Sequence, residues 1–138
     1  FLVVGRFDVK VKERIEQSQL PIKFYGFVES KLELRALYSL ARVTVVPSRE
    51  ENLTNVAMES SACGTPVVCF DIGGNSQIVK HMFSGYLAIP FKTQDLARGI
   101  EWALSNTNAG SRAREMMSQN FSRSKTAQDY INLYSNII

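Results

Sequence analysis

The sequence predicts an α/β fold, a doubly wound parallel sheet with helices on both faces, and three observations predict it. Short apolar runs rich in Val, Ile and Phe recur along the chain. They alternate with longer segments of helical period, the rhythm of a parallel sheet whose strands are joined by crossover helices. The length of 138 residues with 45% apolar content suffices for one respectable core and falls short of two ordinary domains. Residues 1–138 therefore read as a single Rossmann-like domain.

The strand candidates are 1–5, 22–26, 43–47, 66–70 and 85–89, and helix candidates fill the intervals at 9–19, 31–41, 53–63 and, more weakly, 76–81. Residues 93–104 carry Leu96, Ile100, Ala103 and Leu104 at helical spacing, and Asp95 stands near the start, where a carboxylate complements the helix dipole. Two further helices follow at 110–119 and 122–138. In the last, Ala127, Tyr130, Ile131, Tyr134, Ile137 and Ile138 form one apolar stripe that needs a surface to lie on. Its polar face has too little Lys and Arg for a membrane-surface helix.

Composition excludes several functions. Sixteen basic against 13 acidic residues leave a formal charge of +3, far from the basic stripe of a nucleic-acid binder. Cys63 and Cys69 sit in apolar surroundings as small hydrophobes, and the lone His81 cannot complete a zinc site. The cytoplasm is the default compartment. No segment reaches the roughly 18 consecutive apolar residues of a membrane span. The chain opens directly on Phe1-Leu2-Val3-Val4 without a leader or initiating methionine, so it is expected to be part of a longer polypeptide. Membrane contact, peripheral and at the inner face, would come only through regions outside it.

The stretch from Pro47 to Pro66 carries the chemistry. A strand ends at Pro47, a polar loop follows and a helix opens near Leu53 or Thr54, which aims unpaired backbone N–H groups out of the carboxyl edge of the sheet. Such an end binds phosphate without any basic side chain. Glu51 lies in the loop and Glu59, eight positions later, in the second turn of the helix. A loop carboxylate beside a phosphate site is electrostatically awkward unless it addresses a neutral, hydroxyl-bearing part of the ligand, and an ionised carboxylate accepts two hydrogens from a vicinal diol. Taken alone, the same residues are also compatible with a loop charge and a solvated helix position.

The run Pro-Ser, Glu51, seven intervening residues, Glu59 and then Ala-Cys-Gly-Thr-Pro-Val-Val resembles the donor-site signature of family 4 of the retaining glycosyltransferases, which have the GT-B architecture. The likeness continues through Phe24-Tyr25-Gly26-Phe27-Val28, Leu37-Tyr38-Ser39, Phe70-Asp71-Ile72-Gly73-Gly74-Asn75, Ile78-Val79-Lys80-His81, Gly85-Tyr86-Leu87-Ala88 and Asp95-Leu96-Ala97-Arg98-Gly99-Ile100. The resemblance implies a C-terminal nucleotide-sugar-binding domain whose acceptor is held by an N-terminal domain outside this chain. Glu51 would contact hydroxyls of the transferred sugar as the catalytic residue, and Glu59 would hold the ribose diol. The backbone of Asn52, Leu53, Thr54, Asn55 and Val56 would meet sugar and diphosphate, with the Thr54 hydroxyl as an extra donor. The main chain of Phe27 and Val28 would meet the nucleobase. The implied activity is hexose transfer from a UDP- or GDP-linked sugar with retention, in bacterial polysaccharide or glycoconjugate synthesis, with no cofactor. No Asp-x-Asp stands near a strand end, so no metal is expected either.

Other positions have simpler readings. Gly64 fits a left-handed residue just past a helix, with Pro66 preventing further helix. Gly73-Gly74 fits either a close backbone approach or a plain turn. His81 is given no catalytic role, and Gln77 stands where the family commonly shows Glu. Gly5-Arg6 resembles the family's diphosphate clamp, but only about 18 residues separate Arg6 from Phe24-Tyr25-Gly26, too few for the long helix and further strand that belong between. Residues 1–7 therefore align with the second strand of the family's domain. The family's first strand would be central in the sheet, and its absence would leave an open slot, a closed-up sheet or a borrowed strand. Two rival functions are a nucleotide-sugar-binding module without turnover and an NAD-dependent enzyme, which would need Gly-x-Gly-x-x-Gly where the chain has Gly5-Arg6-Phe7-Asp8.

Overall fold

Strands and helices form where the apolar period places them, most of them a residue or two shorter than the sequence suggests. The computed structural model describes residues 1–6 and 8–137. Phe7, at the end of the first predicted segment, and Ile138, in the last apolar stripe, lie outside the described residues. In chain order the elements are β1 (Leu2–Val4), α1 (Val9–Gln17), β2 (Lys23–Gly26), α2 (Lys31–Leu40), β3 (Thr44–Val46), α3 (Asn55–Ala62), β4 (Val67–Phe70), α4 (Asn75–Ile78), β5 (Gly85–Ala88), α5 (Thr93–Ser105), α6 (Ala109–Asn120) and α7 (Arg123–Ser135). All strand pairs are parallel, in two sheets: β1-β2 and β3-β4-β5. The chain divides into two compact units, Phe1–Ala36 and Leu37–Ile138.

In the first unit, Leu2 and Val3 pair with Lys23 and Phe24. Asp8 starts α1 by accepting the Lys10 N–H at 2.8 Å, which satisfies one of the donors that a helix start leaves open. The guanidinium of Arg6 lies over the Phe27 ring, 5.1 Å from its centroid.

The second unit is built around β4. All four of its residues, Val67 to Phe70, are buried, and because successive side chains point to opposite faces, both faces must be covered. On one face Val67 and Cys69 join Val46, Ala57 of α3, Ile78, Val79 and Met117 of α6 in a single core cluster. On the other lies α5: a Cβ on Gly99 would stand 2.7 Å from Val68 Cγ1 and 2.5 Å from Tyr86 Cδ1, so only glycine lets the helix come this close. Burial at this level is worth about 1.5–3 kcal/mol for each large aliphatic side chain. The cysteines are free thiols, and burial, with Asp71 and Glu51 adding to it, pushes the Cys69 thiol up to about 12.

The helix ends follow local chemistry. Past α3, Gly64 takes φ +83°, its N–H donates to Ser61 O at 3.0 Å and the Thr65 N–H donates to Ser60 O at 3.0 Å. These two bonds make a Schellman motif. At the start of α5, the Asp95 carboxylate does more than face the helix dipole: it accepts the Ile89 N–H at 2.8 Å and the Tyr86 hydroxyl at 3.1 Å. It thereby ties the end of β5 to α5. The Ile89 N–H, followed by Tyr86 and Arg98, holds its pKa below the ordinary carboxylate range against the opposing effect of burial. A depressed pKa stabilises the fold above the unfolded-state value, and that stability is lost as pH falls through the folded value. Asp95→Ala should cost about 2 kcal/mol near neutrality, and the gap to the parent in urea unfolding should narrow below roughly pH 4.

Candidate functional site

The chain leaves β3 at Val46 and runs as a loop through residues 47–54 before α3 begins at Asn55. The helix opens later than Leu53 because Thr54 keeps an extended backbone, φ −76° and ψ 118°, as its N-cap. Its side chain makes no capping bond. The first bond of the helical ladder runs from the Met58 N–H to Thr54 O at 3.2 Å. The N–H groups of Asn55, Val56 and Ala57 precede that ladder, and the positive end of the helix dipole is added to them. Asn52, Leu53, Asn55 and Val56 are exposed, whereas Thr54 is only 3% exposed.

The course of this loop is fixed by a turn after β4. Gly74 donates its N–H to Asn52 O at 2.6 Å. A Cβ on Gly73, which has φ +53°, would stand 1.9 Å from Glu51 O, and one on Gly74 would stand 2.6 Å from Asn52 O. Of the two readings of Gly73-Gly74, the close backbone approach is the one that forms. The turn is held in its own right by Asn75, which is buried and donates from Nδ2 to Phe70 O at 2.9 Å.

The two acidic side chains flank the helix start. Glu51 is half-buried in the loop, near enough to the end of β4 for its charge to raise the Cys69 thiol. Glu59 lies four residues into α3, about 6 Å along its axis, and is exposed. Its Oε2 accepts the Tyr38 hydroxyl at 3.1 Å. Burial, reinforced by the Glu59 charge, raises the Tyr38 pKa well above that of a free phenol, so Tyr38 stays a donor to the carboxylate. Sequence reasoning did not find this partner: Leu37-Tyr38-Ser39 carries only family likeness, and no helical or strand period links positions 38 and 59. The approach of Gly73 and Gly74 to Glu51 and Asn52 is hidden in the sequence for the same reason.

The predicted residues Glu51 to Val56 and Glu59 thus come together on one loop and helix start. Phe27 and Val28 belong to the other compact unit, directly after β2, with the Phe27 ring exposed. His81 has a structural task, its Nδ1 accepting the Leu87 N–H at 3.2 Å. A cavity of about 220 Å³ lined by Arg42, Gly64, Pro66 and Leu104 opens at the amino edge of β3 and β4, the end of the sheet opposite the carboxylates.

Residues 1–123 match the family model described as glycosyl transferases group 1. The chain belongs to this family. Among relatives of this group 1 chain, an uncharacterized glycosyltransferase of Methanocaldococcus jannaschii is 32% identical over 117 residues, covering 82% of the chain and 30% of the relative. A D-inositol 3-phosphate glycosyltransferase of Mycobacteroides abscessus is 35% identical over 111 residues, 80% of the chain and 25% of the relative. Among solved structures, sucrose-phosphate synthase from Thermosynechococcus elongatus superposes with a TM-score of 0.85 at 28% identity, over 99% of the chain and 38% of that protein. The Anabaena protein HepE, solved with UDP-glucose, gives 0.77 at 26% identity, over 98% and 40%. The group 1 chain therefore spans well under half the length of these relatives. Among the described residues no helix is long and apolar enough to cross a membrane.

Proposed function

We propose that this chain supplies the donor-binding domain of a retaining glycosyltransferase that moves a hexose from a nucleoside diphosphate sugar to an acceptor hydroxyl. One observation carries the reading: a helix start without a side-chain cap, at the carboxyl edge of a parallel sheet, is flanked by one carboxylate in its loop and another in its second turn. In this reading the diphosphate lies against the N–H groups at the start of α3, where fixed donors meet the charge that grows as the bond from the anomeric carbon to the phosphate oxygen breaks. Glu59, oriented by Tyr38, accepts the two ribose hydroxyls, and Glu51 accepts hydroxyls of the sugar. Phe27 and Val28 serve the nucleobase through their main chain. The acceptor is held by residues outside this chain. No metal is required, because the backbone donors and the helix dipole stabilise the leaving group. One relative supports the donor class: the Anabaena protein HepE was solved in complex with UDP-glucose.

The test is calorimetric titration of the polypeptide carrying this chain with UDP-, GDP- and ADP-glucose, followed by assay of sugar release. Binding of one nucleotide with turnover is expected. Dissociation constants weaker than about 1 mM for all three would overturn the reading, and tight binding without turnover would favour a binding module.

A further inference from the structure

We propose that the Gly73-Gly74 turn is a positioning element for the donor sugar, setting where the Glu51 carboxylate stands; this rests on the reading of Glu51 as the sugar contact. The loop that carries Glu51 has little regular structure of its own to hold it, since residues 47–54 lie between β3 and α3. What holds it is backbone against backbone. The Gly74 N–H donates to Asn52 O at 2.6 Å, and the two glycines abut the carbonyls of Glu51 and Asn52 with no room for a side-chain carbon. The turn is itself anchored in the core through buried Asn75 and its bond to Phe70 O, and Phe70 ends the fully buried strand β4. The chain of support runs from the core strand through Asn75 to the glycines and on to the loop carbonyls. A catalytic group needs placement to within about 0.5 Å, and this turn supplies a rigid reference for it.

The two glycines differ in how much they tolerate. Real Cβ contacts essentially never fall under 3.0 Å, so alanine at 73 must open its 1.9 Å approach to Glu51 O by more than an ångström, whereas alanine at 74 starts from 2.6 Å. A displacement of about 1 Å at a reacting centre costs on the order of a hundredfold in rate. Gly73→Ala is therefore expected to lower kcat roughly a hundredfold and Gly74→Ala less, on the order of tenfold. For Gly73→Ala, whose closest approach is to Glu51 O, affinity for UDP alone, or GDP if the parent prefers guanine, should stay within about twofold, because Glu59 and the Asn55 and Val56 N–H groups are untouched.

The deciding measurement is a double-mutant cycle. If the glycines act through Glu51, Gly73→Ala should have little further effect on kcat in a Glu51→Ala background. An equal fall in kcat with or without Glu51 would overturn the proposal. So would loss, in both glycine variants, of the near-UV signal of Trp102, the one tryptophan, since that would make the turn a determinant of the core instead. Failure of the parent to bind any nucleotide sugar would instead sink the underlying functional reading.

Discussion

Glu51→Ala is expected to lower transfer by roughly a hundredfold or more while leaving the fold intact. The large effect follows from what the carboxylate replaces. Each hydrogen bond from a sugar hydroxyl to a charged acceptor is worth about 1.5–3 kcal/mol, and two of them, lost at the reacting sugar, combine with loss of orientation at the anomeric carbon. The small structural effect follows from the environment. Glu51 is half-buried on a loop held through its main chain, and removing a surface charge in such a place shifts stability by about 0.5 kcal/mol or less. Assay of sugar transfer beside urea unfolding of the same variant separates the two. Equal activity of variant and parent would remove the sugar contact from Glu51.

The second large effect is expected at Glu59. Glu59→Ala should weaken binding of the nucleoside diphosphate by on the order of ten- to a hundredfold, since a ribose diol loses a charged acceptor for both hydroxyls. The loss should appear with UDP or GDP lacking any sugar, unlike the loss at Glu51, which should require the sugar. Tyr38 gives a graded control. Its hydroxyl orients the carboxylate through one bond of 3.1 Å, so Tyr38→Phe keeps the acceptor and loosens it, and a severalfold loss is expected. Titration of the three proteins with the free nucleotide orders them parent, Tyr38→Phe, Glu59→Ala. A Glu59→Ala variant that binds like the parent would detach the ribose from this helix.

Local signals in the sequence mark much of the fold. The apolar runs at 66–70 and 85–89 foretold β4 and β5 because strands buried on both faces leave a continuous mark in sequence. Gly64 was legible for a similarly local reason, as its positive φ follows directly from the end of a helix. The loop and helix start were placed to within two residues, and the difference turns on Thr54, which keeps the extended backbone of an N-cap and delays the helix to Asn55. The partnerships that shape the site were not legible. Tyr38 meets Glu59 across 21 residues and Gly74 meets Asn52 across a whole strand and helix. Such pairings depend on tertiary packing, which periodicity does not encode. The division of the strands into two sheets likewise lay beyond the sequence, which left open whether the sheet closes up.

In the proposed function, one helix start and two carboxylates grip a single activated donor. A crystal structure of the polypeptide carrying this chain, soaked with UDP-glucose or GDP-glucose according to the titration, tests it most directly. The account predicts diphosphate oxygens within hydrogen-bonding distance of the Asn55 and Val56 N–H groups, with ribose hydroxyls on Glu59 and sugar hydroxyls on Glu51. A diphosphate bound away from the start of α3, or a ribose that leaves Glu59 in solvent, would contradict it.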